Sequence, residues 1–228
     1  MILVLFDCDG TLVDSQHIIA DAMDRTFVHH GLPPPGVART RTVVGLSLPI
    51  AIAGLLEEPD GARSQTMAET YKDQFQALRA SQAMNEPLFP GTREVLDRMR
   101  LRDEVIVGMV TGKSQRGVRA IVEHHDLDGV FHVVRTADDC PSKPHPAMVL
   151  EACAEAGITP DRTLVVGDTH FDMDMAVAAG ASPVGVSWGY HPVDALHASG
   201  ATIVIEHFDE LDALVDQAFS RFEGAEQT

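Results

Sequence analysis

Cysteine is scarce in this chain: Cys8, Cys140 and Cys153 are all there are. They form no CxxC pair and their number is odd, which excludes a disulfide framework and a zinc knuckle. Three reduced thiols in a cytoplasmic protein are the expectation. Positive charge is also in short supply. Lys and Arg total 17 against 34 Asp and Glu, for a formal net charge of -17. Such a surface repels nucleic acid and anionic lipid, and no Lys/Arg run offsets it locally. Long apolar runs are missing as well. Met1 to Phe6 is apolar, but Asp7 ends the run, too soon for a signal-peptide core or a membrane span. There is no internal repeat and no low-complexity tract.

What is present is ordinary for a globular protein. The 228 residues are 45% hydrophobic, enough for one large domain or one domain with a smaller insert. Ile2–Phe6 (ILVLF), Val105–Val110 (VIVGMV), Thr163–Val166 (TLVV) and Pro183–Val186 (PVGV) read as short buried strands, with Ile203–Ile205 a weaker fifth. Helical patterns lie between them at Thr92–Arg102, Ser114–His125, Ala147–Ala156 and Phe171–Ala179, the last stopped by Gly180. Continuous apolar strands alternating with helices mean an α/β fold, a Rossmann-like doubly wound parallel sheet covered on both faces.

Ser15 to Ala83 breaks the rhythm. It holds no strand pattern, only helical ones at Gln16–His30, around Val43–Leu56 and at Ala62–Ala83. Pro33-Pro34-Pro35 and Glu58-Pro59-Asp60-Gly61 punctuate them. The expected architecture is a core of residues 1–14 and 86–228 with a small all-helical cap, residues 15–85, inserted after the first strand. Asp14-Ser15 and Pro87 are the candidate hinges.

Ligands of an open parallel sheet bind beyond the carboxyl ends of its strands. The first apolar run is followed by Asp7-Cys8-Asp9-Gly10-Thr11, the second by Thr111-Gly112-Lys113-Ser114, the third by Asp168 with Asp172 four residues on. Lys143 sits in Ser142-Lys143-Pro144-His145-Pro146, just before a helix. A lone Asp after a strand is commonly a turn former or a helix cap. Several on one edge repel one another without a cation, and hard oxygen donors suit Mg²⁺. A nearby Lys and Thr suit a phosphoryl group.

These four motifs, in this order, resemble those of the haloacid dehalogenase superfamily, subfamily IA, from about Ile2 to Leu214. Gly185-Val186-Ser187-Trp188-Gly189-Tyr190, followed by His191-Pro192, looks like the phosphoglycolate phosphatase branch. The resemblance implies a Mg²⁺-dependent phosphatase acting on a small phosphorylated metabolite. It implies Asp7 as nucleophile and Asp9 as general acid and then base. Thr111 and the Gly112 amide would hold phosphoryl oxygens, and Lys143 would offset charge. Asp7, the Asp9 carbonyl, Asp168 and Asp172 would surround the metal, Asp172 as ligand or as support. Dehalogenases of the superfamily lack a carboxylate at the position of Asp9, so Asp9 argues for phosphoryl chemistry. Phosphonate-cleaving members use a cap lysine, and the cap's single lysine, Lys72, reads as a surface residue. A phosphosugar mutase shares Asp9 and stays open, as does a non-catalytic phosphate-binding protein.

Other features carry less. Gly108 to Ser114 is one residue short of the phosphate loop GxxxxGK[ST], so Lys113 reads as a helix-start residue. Asp7-Cys8-Asp9-Gly10 resembles a calcium-loop start, but Ile18 stands where the closing Glu belongs. In the cap, Arg41 and Gly45 lie in a basic-then-small stretch, Arg39 to Ser47, suited to a loop over the catalytic acids. His17 is a weaker substrate contact and His170 a rim residue. Phe27, Tyr71 and Phe75 read as cap core. A monomer or homodimer is expected.

Overall fold

A strand that is apolar at every position needs cover on both of its faces, and β1 (Ile2–Phe6) has it: all five residues are fully buried. The structure is a computed structural model, and it describes residues 1–81 and 86–225. β1 pairs in parallel with β2 (Val105–Val110), from Ile2 opposite Val105 to Phe6 opposite Met109. Its other edge pairs in parallel with β4 (Thr163–Gly167), from Leu3 opposite Thr163 to Phe6 opposite Val166. With β3 (Val133–Arg135), β5 (Ser182–Val186) and β6 (Ile203–Ile205) the sheet has six parallel strands in the order β3-β2-β1-β4-β5-β6. The chain winds outward from β1 to β3, then restarts at β4 and winds the other way. The crevice between the ends of β1 and β4 is therefore the switch point where such folds bind ligands.

The two-residue period of β1 divides the core. Ile2, Val4 and Phe6 join one apolar cluster, with Leu96 and Met99 of α5 (Thr92–Arg100) and Ile121 of α6 (Gln115–His124). Leu3 and Leu5 point to the opposite face. There they meet Met148 and Ala152 of α7 (Ala147–Ala156) and Met175 of α8 (His170–Ala179).

Between β1 and α5 the chain forms α1 (Gln16–His29), α2 (Gly36–Arg41), α3 (Leu48–Leu56) and α4 (Ala62–Ser81). These helices bury their own cluster, including Met23, Phe27, Ile52, Leu55 and Met67, apart from both faces of the sheet. Exit and return run side by side. The Asp14 amide donates to the Pro87 carbonyl at 2.8 Å, the Phe89 amide donates to the Leu12 carbonyl at 2.9 Å, and Val13 bridges antiparallel to Leu88. The expected cap end at residue 85 and the helix end at Ala83 lie outside the described residues.

Several expectations need correction. Val43 to Ser47 is not helical; it is a turn between α2 and α3, with Gly45 at φ +98°. β3 was not expected, because three residues at a sheet edge are too few to make an apolar run. The helices α9 (Val193–Ala198) and α10 (Leu211–Ala225) were not expected either. Among the described residues no helix is long and apolar enough to cross a membrane.

Ile52 is fully buried at the centre of the helical cluster. Ile52→Ala should lower stability by about 2–5 kcal/mol, the usual cost of a core truncation with its cavity. Urea unfolding checks this, and a loss under about 1 kcal/mol would mean that the cluster collapses around the gap.

Candidate active site

The carboxyl edge of the sheet gathers the acids that followed the apolar runs. Asp7 ends β1, Asp168 follows β4, and Asp172 lies in the first turn of α8; all three are buried. One carboxylate oxygen from each falls within 4.8 Å of the others. Lys143, from the loop before α7, reaches in and is itself buried, with Nζ 2.7 Å from Asp7 Oδ1 and 2.6 Å from Asp172 Oδ1.

Each acid is held differently. Asp172 Oδ2 accepts from the Thr169 amide at 3.1 Å and the Thr169 hydroxyl at 2.6 Å, a capping box that starts α8. Asp168 accepts from the Thr11 hydroxyl at 3.0 Å and the Tyr190 amide at 2.8 Å. Two glycines make room for it. A Cβ on Gly10, at φ +89°, would stand 2.2 Å from Asp168 Oδ2, and one on Gly189 would stand 2.1 Å from Asp168 Cβ. Neither oxygen of Asp7 accepts a hydrogen bond of regular geometry. Lys143 pairs with Oδ1 as an ion only, and Oδ2 is left without a partner. Asp7 is thus the acid free to take a new bond.

The electrostatics state the same deficit. Burial raises the Asp7 carboxyl to about 7; Lys143 pulls it back and Asp172 adds to the rise. Asp168 is held well above the usual carboxylate range by burial first, then by Asp7 and Asp172. Lys143 keeps its charge against its burial because Asp172 and Asp7 flank it. Three buried carboxylates facing one lysine lack positive charge, and their all-oxygen donor set fits a hard divalent cation.

Asp9 stands outside the three-acid group. Its Oδ1 accepts from the Ser15 hydroxyl at 2.5 Å and lies 2.8 Å from Lys113 Nζ. Lys113 is therefore no plain helix-start residue: only 8% of its side chain is exposed, and Asp9 and then Glu86 hold its charge against burial. Glu86 Oε1 is 3.6 Å from Lys113 Nζ, and Glu86 Oε2 is 2.6 Å from Arg79 of α4. Sequence reasoning missed this chain of charges, although the position of Lys113 just past a strand's carboxyl end was a usable signal.

A cavity of about 500 Å³ opens over the acids, lined by Asp7, Asp9, Thr111 and Gly112 from below and by Gly45 from the helical side. Gly112 meets the turn closely, since a Cβ there would fall 2.4 Å from the Gly45 carbonyl oxygen. Arg41 does not line the cavity. It bonds Gln16 Oε1 and sits 5.8 Å from the centre of the Tyr190 ring, so the expected substrate contact is spent on a neighbouring seam. His17 is exposed and also outside the walls. His170 lies against His191, their Nδ1 atoms 2.9 Å apart. Tyr71 and Phe75 pack on the helical clusters but also face the cavity, a role the sequence did not reveal.

The family model for haloacid dehalogenase-like hydrolases matches residues 4–186. The chain belongs to the haloacid dehalogenase-like hydrolase family. Its relatives in that family include a phosphoglycolate phosphatase of Pseudomonas putida, 33% identical over 93% of this chain and 78% of the relative. A phosphoglycolate phosphatase of Nitrosococcus oceani is 31% identical over 95% and 97%. Among solved structures, a hydrolase from Pseudomonas syringae superposes with a TM-score of 0.82 at 24% identity, covering 95% of this chain and 98% of that one. This haloacid dehalogenase-like hydrolase thus shares its fold across both the sheet and the inserted helices.

The Asp7 shift has a consequence for stability. Its folded-state value of about 7 exceeds the ordinary carboxylate value of about 4. Between those values the folded state binds more protons than the unfolded one, so without metal this group's contribution to stability falls as pH rises. Asp7→Asn should raise the metal-free melting temperature more at pH 7.5 than at pH 5, by about 2–4 °C for each kcal/mol relieved. Scanning calorimetry in chelator at both pH values checks it; an equal effect at both would contradict the assignment.

Proposed function

We propose that this chain is a phosphatase that hydrolyses a phosphomonoester of a small soluble metabolite through an aspartyl-phosphate on Asp7. The observation that carries the reading is the buried Asp7 oxygen without a partner, beside Lys143 and two residues from Asp9. Asp7 Oδ2 attacks phosphorus, and the bond from phosphorus to the leaving oxygen breaks. Asp9 gives that oxygen its proton. Water then attacks the phosphorus of the aspartyl-phosphate, Asp9 takes a proton from the water, and phosphate leaves with Asp7 restored. Thr111 and the Gly112 amide hold phosphoryl oxygens, and Lys143 opposes the charge that builds between Asp7 and the transferring group.

Asp7, Asp168 and the Asp9 carbonyl would hold Mg²⁺, with Asp172 ligating it or bracing Lys143 beside it. The ion would supply neutralisation of the phosphoryl oxygens and of the acid cluster. The paired crossings at Asp14 and Pro87 support a cap of residues 15–85 that moves on a core of residues 1–14 and 86–228. Ser15 both follows the first crossing and bonds Asp9, so cap position and the orientation of the acid are linked. Three free, buried cysteines suit a reducing compartment, and we place the enzyme in the cytoplasm.

Phosphate release from a panel of small phosphomonoesters, phosphoglycolate included, tests the reading. Release should require Mg²⁺, stop in chelator, vanish in Asp7→Asn and fall about 10²–10⁴-fold in Asp9→Asn. An isomerised sugar phosphate in place of free phosphate would make the chain a mutase. Tight phosphate and Mg²⁺ binding without turnover of any ester would make it a binding protein.

A further inference from the structure

The cavity over Asp7 is much larger than its chemistry needs. A phosphoryl group fills roughly the space of two or three waters, at about 30 Å³ each. Most of the cavity's 500 Å³ is therefore left to the leaving group, a volume in the usual range for small-molecule sites. The part beyond the acids is walled by α1, the turn after α2, α3 and α4, with Ile19, Met23, Val44, Leu46, Tyr71 and Phe75 facing inward.

Most of the positive charge in these walls is already paired. Four cationic side chains line the cavity: Lys72, Arg79, Lys113 and Arg116. Lys113 is tied to Asp9 at 2.8 Å, Arg79 to Glu86 at 2.6 Å and Lys72 to Glu69 at 2.7 Å. Arg116 is exposed on the first turn of α6. Among the described residues, no buried and unpaired cation waits in the wall for a second anionic group. A carboxylate one carbon from the ester oxygen would be drawn out of water beside Asp7 and Asp9 without a partner, which is costly.

The walls offer a flat apolar surface instead. The Tyr71 and Phe75 rings lie 5.7 Å apart and only 30° from parallel. Arg79 and Lys113 also lie over the Phe75 ring, 4.9 Å and 5.7 Å from its centre, and help to fix it. Two aromatic rings held in place beside a phosphoryl site make a platform for the face of another ring.

We infer that the leaving group is an uncharged, ring-bearing alcohol, seated on Tyr71 and Phe75, and not a two-carbon acid. This rests on the phosphatase reading above and narrows its substrate class. Phe75 and Tyr71 then act as specificity residues, selecting the alcohol while the sheet edge handles the phosphate.

Four primary-alcohol esters, whose leaving oxygens are alike, separate the possibilities: phosphoglycolate, glycerol 3-phosphate, glucose 6-phosphate and pyridoxine 5′-phosphate. With Mg²⁺, at least one of the two ring-bearing esters should exceed phosphoglycolate at least tenfold in kcat/KM. Phe75→Leu, which keeps apolar bulk but loses the ring, should reduce the preference for that ester over glycerol 3-phosphate about threefold to tenfold, mainly through KM. The wild-type ranking stands whether or not the variant folds. Phosphoglycolate as the best substrate, with release dependent on metal, would overturn the inference and leave the phosphatase reading intact. No release from any of the four, nor from acetyl phosphate, would overturn both.

Discussion

Everything at the carboxyl edge of this sheet turns on an imbalance of buried charge. Asp7, Asp168 and Asp172 are packed together out of water, with Lys143 alone among them. Such a group is expensive to assemble, and the fold offsets the expense piecemeal. Asp172 is neutralised by Lys143 and by the amide and hydroxyl that begin α8. Asp168 is gripped between the Thr11 hydroxyl and the Tyr190 amide, and Gly10 and Gly189 make room for it at close approach. Of the three, only Asp7 is left without a regular hydrogen bond, and an unpartnered oxygen is what a nucleophile or a metal ligand requires.

The sheet explains why these particular positions could be loaded in this way. β1 lies at the switch point, between strands whose onward connections diverge, so the groups that end it face open space instead of a covering loop. The groups that hold the acids come from segments far apart in sequence: the Thr11 hydroxyl after β1, the Lys143 ammonium before α7, the Tyr190 amide after β5. A site assembled this way draws each contributor from a different loop at the sheet edge. It is also open to control, because Ser15 and Glu86 border the inserted helices and reach, directly or through Lys113, the acid Asp9.

Much of this was legible in the sequence, for a physical reason. A parallel strand covered on both faces is written as an unbroken apolar run, and the residue that breaks the run is the one at the ligand-binding edge. Asp7, Thr111 and Asp168 were found in that way, and β1, β2 and β6 match their expected bounds. Features that depend on neighbours distant in sequence were not legible. β3 is three residues at an edge, held by pairing to β2 from Gly108 opposite Val133 onward, and so carries no run of its own. Lys113 read as a helix-start residue because nothing local shows that Asp9 and Glu86 close over it. Arg41 looked like a substrate contact because nothing local shows that Gln16 and Tyr190 take its guanidinium.

Tyr71 and Phe75 mark the deeper limit. At their helical spacing they read as core, and they do pack against Ile18, Ala22 and Leu78. Burial on one side of a ring says nothing about its other side, and here the other side faces the cavity. The two parts of the molecule therefore encode different information in different ways. The sheet edge states its reaction in charged residues at fixed positions, where an error of a single residue would remove the chemistry. The inserted helices state their preference in apolar residues whose meaning depends on which face is left uncovered. Charge that could have recognised an anionic tail is used to fix Asp9 and to tie α4 to the second crossing. The same ion pairs that hold Asp9 thus also engage Lys113 and Arg79, two of the cations that line the cavity, through Glu86.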